Sequence, residues 1–121
     1  MISKGRKTLG IKLRQMRREK CKTQAETAEA LGITVSFYSA IEVVRKPMPM
    51  KLMDRLVTFL EIDEEEEMDI IAHAAESAQE VKINLRDSEP GNRDLALMFA
   101  RRFPSLNREQ ANVFRRLLTE M

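Results

Sequence analysis

The chain has 121 residues, 43% apolar and 33% charged, with no Trp, one Tyr and five Phe, which suffices for one compact domain or a small domain with an appendage and excludes a multidomain enzyme. Four Gly and four Pro leave few turn signals for an all-β fold. One Cys and one His exclude an internal disulfide and a multi-His metal site, and no apolar run approaches the ~18 residues of a membrane span. The net charge of +2 hides a sorting: residues 1–60 hold thirteen Lys/Arg against five Asp/Glu, and residues 61–121 hold eight against fourteen. The basic half suits a polyanion, from which the acidic half should face away.

Leu9, Leu13 and Met16 recur at i, i+4 and i+7 among Lys12, Arg14, Arg17, Arg18 and Lys20, which predicts a basic first helix over roughly residues 6–20. Thr23 with Glu26 three residues on forms a capping box for a short second helix, Gln24 to Leu31, that stops at Gly32. Ile33 can plug the corner, and Thr34 can cap a third helix running to Glu42 or Val43. After the basic connection Arg45-Lys46-Pro47-Met48-Pro49, Pro49 suits the first turn of a fourth helix bearing Leu52, Met53, Leu56, Val57, Phe59 and Leu60. Asp63 can cap a fifth, whose first turn Glu64-Glu65-Glu66-Glu67 complements the helix dipole and whose buried face is expected to be Met68, Ile71, Ala72 and Ala75. The alternation Val81-Lys82-Ile83-Asn84-Leu85 predicts one short strand, 81–85, whose partner would be the same segment of a second copy. Ser88 to Asn92 reads as a loop, followed by amphipathic segments Asp94–Phe103 and Asn107–Leu118 separated by Pro104 and Ser105.

The run Thr23 to Glu42, together with Leu13-Arg14-Gln15-Met16-Arg17 and Leu56 to Ile62, resembles the helix-turn-helix of the phage repressor/Cro (XRE-like) family. Ala28 is small where two helices would cross, Gly32 makes the turn, and Leu31, Ile33 and Ile41 supply a core that fixes the interhelical angle. The resemblance implies an all-α fold: a five-helix repressor-like DNA-binding domain, residues 1–62, and a helical dimerisation region, residues 63–121. It also implies a structural ion pair between Arg17 and Glu42, the alternative being that Arg17 contacts DNA. The third helix would enter the major groove. DNA contacts are expected from Thr23 and Gln24, from Thr34, Val35, Ser36, Phe37, Ser39 and Ala40, and from Arg45 and Lys46, with Lys4, Arg6 and Lys7 adding charge. Those groove-facing side chains are short and lack the bidentate chemistry of Arg, Asn or Gln, so DNA shape should contribute to specificity.

The chain departs from the family pattern at Thr27 (usually Leu), Tyr38 (usually aliphatic), Cys21 and Lys22 (commonly Gly and an apolar residue) and Val44 (commonly Gly). Val81, Ile83, Leu85, Leu97, Phe99, Phe114 and Leu117 are the expected dimer interface, although helical pattern alone leaves open a core closed within one chain. The function implied is a cytoplasmic, sequence-specific double-stranded DNA-binding regulator. It would be a repressor acting as a homodimer on an inverted repeat, non-enzymatic and without cofactor or metal, with either a toxin or polymerase as the further protein partner. The alternatives are the DNA-binding antitoxin of a toxin–antitoxin pair and a protein-interaction module that has lost DNA binding.

Overall fold

In the computed structural model, which describes residues 8–44 and 46–121, the Thr8 hydroxyl opens α1 (Leu9–Glu19) by accepting from the Ile11 amide. The chain turns away just past the Lys20 cap of α1 at Cys21, whose φ of 59° is left-handed, so the position where the related pattern carries glycine keeps a glycine-like backbone. Both halves of the Thr23–Glu26 capping box form at the start of α2 (Gln24–Leu31), and Gly32 closes it at φ 72°. Thr34 accepts from the Phe37 amide to start α3 (Val35–Val43). Val44 leaves α3 at φ −96°, outside the left-handed region; a β-branched side chain is therefore unstrained there.

Pro49 lies just before a 3-10 turn, Met50–Leu52, rather than inside the first turn of α4 (Met53–Leu60). The Asp63–Glu66 capping box starts α5 (Glu64–Ser77). A first compact unit extends to Glu80. In it α3 packs on α1 and α2, α4 on α2, and α5 on α1. Its core is Leu13, Met16, Ala28, Leu31, Tyr38, Ile41, Leu56, Leu60 and Ile70, with Met48, Leu52, Met53 and Ile62 at its edge.

The expected buried face of α5 is corrected. Ile70 is its one fully buried residue, flanked by half-buried Glu66, Glu67, His73 and Ala74, whereas Met68, Ile71, Ala72 and Ala75 are exposed. The reason is electrostatic as well as apolar: Lys12 pairs with Asp69 at 2.7 Å, and Lys20 reaches Glu66 at 3.7 Å and donates to the Glu61 carbonyl at 3.0 Å. Cations of the basic first helix thus hold the acidic fifth.

The second unit runs from Val81 to Met121 and carries α6 (Arg93–Arg102) and α7 (Arg108–Thr119), the latter opened by a capping box between Asn107 and Gln110. Phe99 meets Phe114 edge-on at 5.2 Å between centroids and leans on Phe103 at 5.6 Å, a favoured aromatic geometry. No described residue of this unit is buried. The expected strand over 81–85 is corrected: these residues form neither helix nor strand, because no second extended segment among the described residues gives them a ladder to join, and the regular elements described are all helices. The acidic charge is also narrower than the half-chain count suggests: residues 61–80 hold nine Asp/Glu and no Lys/Arg, while residues 81–121 hold eight Lys/Arg against five Asp/Glu.

Candidate nucleic-acid interface

The placement of α3 is set from beneath. Arg17 Nε donates to Glu42 Oε2 at 2.8 Å and its Nη2 to Oε1 at 3.1 Å, a two-pronged pair with Glu42 fully buried. The remaining Arg17 nitrogen, Nη1, donates to the Lys22 carbonyl at 2.9 Å, and Gln24 Nε2 donates to Glu42 Oε1 at 3.0 Å. One carboxylate therefore ties α1, the entry to α2 and the end of α3. Burial opposes ionisation of Glu42, but the Arg17, Tyr38 and Gln24 side chains around the carboxylate outweigh it and hold it below its ordinary value. The fully buried Tyr38 hydroxyl makes no well-formed hydrogen bond, and burial followed by the nearby Glu42 charge raises its pKa far above the usual phenol range. Thr27, also fully buried, satisfies its hydroxyl by donating to the Thr23 carbonyl at 2.8 Å.

Close approach reinforces the anchor. A Cβ at Gly10 would overlap the Glu42 carbonyl and lie 2.8 Å from that of Ile41, so α1 meets the last turn of α3 backbone to backbone. At the corner, Arg55 Nη1 donates to the Leu31 carbonyl at 3.1 Å and completes the end of α2.

With Tyr38, Ile41 and Glu42 turned inward, α3 presents Val35, Ser36, Ser39 and Ala40 outward, the two middle serine and alanine positions half-buried. Val43 and Val44, 58% and 74% exposed, extend this face. The sequence reading did not place these two on that face, nor Gly10 at the crossing; the signal for the valines was their position two i, i+4 steps from Val35 and Ser36. Phe37 is half-buried beneath the Lys46 ammonium, 4.7 Å from the ring centroid, and the Lys46 amide donates to the Ala40 carbonyl at 3.1 Å. Lys46 is thereby fixed beside the end of α3. The Gln24 side chain, expected at a phosphate, is engaged by Glu42, and the Thr23 hydroxyl by the Glu26 amide. Arg45, Lys4, Arg6 and Lys7 lie outside the described residues.

Of the residues expected at a dimer interface, Val81, Ile83, Leu97, Phe114 and Leu117 are exposed and Leu85 and Phe99 half-buried. Among the described residues no helix is long and apolar enough to cross a membrane, and no three metal-ligating side chains converge. The family model described as a helix-turn-helix domain matches residues 8–69, about half of the chain, from the cap of α1 into α5. No curated protein and no solved structure matches the chain.

Proposed function

The chain belongs to the helix-turn-helix domain family, and from that premise we propose that it is a double-stranded DNA-binding transcriptional regulator of the phage repressor/Cro type. It acts as a homodimer on an inverted-repeat operator, represses by excluding polymerase, and works in the cytoplasm with its own promoter among its targets. The observation that carries this reading is α3 itself: its buried side is locked by Glu42 to Arg17, while its outward side is uncharged and ends at the fixed cation of Lys46. Such a surface fits base edges in the groove, with the lysine on a phosphate. The second unit supports dimerisation, because Leu95, Leu97, Met98, Phe103, Leu117 and Leu118 are each at least 55% exposed, an apolar display that a second copy would cover. In a two-fold dimer the half-sites are centred about one helical turn apart, roughly 34 Å.

The test is fluorescence anisotropy of the full chain on duplexes that include the DNA upstream of its own gene, over a range of salt concentrations. Binding should weaken steeply with salt. Lys46→Ala should weaken it on all sequences and reduce the salt slope by about one phosphate equivalent. Absence of binding to every duplex at low ionic strength overturns the proposal. The exposed apolar surface also suits a toxin partner in an antitoxin role; a stoichiometric protein recovered with the chain from its host would favour that reading over the stand-alone regulator.

A further inference from the structure

The outward face of α3 carries no charged or amide side chain. Val35, Ser39 and Val43 follow at i, i+4 and i+8, with Ser36, Ala40 and Val44 one step round the helix. Val35 is 46% exposed at the first helical position. A major groove offers such a face two kinds of handle. Hydrogen-bonding edges are read with discrimination by bidentate groups, Arg or Lys on guanine and Asn or Gln on adenine, and this face has none of them. A serine hydroxyl donates or accepts with equal ease and separates the bases poorly. The remaining handle is apolar, and the apolar group on a major-groove edge is the thymine methyl.

Resting on the reading of the chain as a DNA-binding regulator, we infer that α3 reads thymine methyl groups, with Val35 as the principal reading residue and the Ala40 methyl adding to it. The surroundings fit that occupant. Lys46, held over Phe37, places a cation beside the uncharged face, so a phosphate meets charge at the rim while methyl groups meet Val35 at the start of the helix. Because only one strand of an A·T pair carries the methyl, the face distinguishes A·T from T·A without any bidentate hydrogen bond.

The full-length protein is used to select duplexes from a random pool, and the enriched sequence is resynthesised with deoxyuridine replacing thymidine one position at a time. Uracil keeps the base pairing and lacks the methyl. Each contacted methyl should be worth about fourfold in affinity. Val35→Ala, a truncation of an exposed residue, should shrink the thymine–uracil difference at one position of each half-site and leave the salt slope unchanged. Lys46→Ala should do the reverse. Equal affinity for thymine and uracil at every position overturns the methyl reading while DNA binding stands. A difference that survives Val35→Ala undiminished at every position overturns the assignment to Val35. If no duplex is enriched or retained at low salt, the DNA-binding reading itself fails.

Discussion

Glu42 joins three helices, since its carboxylate accepts from Arg17 on α1 and from Gln24 at the head of α2 while it stands in the last turn of α3. A buried pair of this kind adds little beyond an apolar replacement, but breaking it from one side strands a charge. Glu42→Gln should therefore cost about 3–5 kcal/mol at neutral pH, read by urea denaturation. The pH dependence has a definite sign. The folded-state pKa lies below the ordinary 4.5, so the stabilisation is complete above the unfolded carboxyl's pKa and fades as pH falls through the folded one. The native chain should accordingly lose stability over that acid interval more steeply than Glu42→Gln; parallel curves would show that Glu42 contributes no acid-linked term. The pair was legible in the sequence through Arg17 and Glu42 standing at matching places in a known pattern. The recruitment of Gln24 was not, because a residue with a free amide at a helix start reads equally well as a phosphate contact.

At the scale of the helices, caps were the most readable feature, since Thr23–Glu26 and the Asp63 cap are local chemistry in which a side chain meets an amide three residues away. The face of α5 was not readable. Met68, Ile71, Ala72 and Ala75 form a good stripe by spacing alone, yet the stripe around Ile70 is the buried one because Lys12 and Lys20, some fifty residues earlier, pair with Asp69 and Glu66. Gly10 was missed for the same reason: its requirement comes from the Glu42 carbonyl across the helix crossing. Gly10→Ala tests that crossing. Helix propensity by itself favours alanine by about 1 kcal/mol, so a gain in thermal stability would refute the close approach. The expected result is a loss of about 1–3 kcal/mol from overpacking against rigid backbone, with weakened DNA binding because α3 is displaced.

Across the whole molecule, charge and apolar surface are allotted to different tasks. The nine acidic residues of 61–80 fall on and around α5, where Asp69 and Glu66 take up Lys12 and Lys20 of α1, so the cationic character of α1 is partly spent inside the first unit. The second unit is mildly basic and holds no buried residue. Its helices were visible in the sequence as amphipathic repeats. What covers them was not, since the same spacing serves a core within one chain or a surface between chains. Under the proposed dimer, Leu117, 55% exposed on α7, lies where a second copy would pack, and Leu117→Glu should leave helical circular dichroism unchanged while placing like charges in the interface. Equilibrium sedimentation should then give the mass of one chain, and operator affinity should fall by about a hundredfold as two linked half-site contacts become independent. A variant that still sediments as a dimer places the interface elsewhere. A native chain that sediments as a monomer at micromolar concentration removes the dimer from the mechanism, and with it the requirement for an inverted repeat.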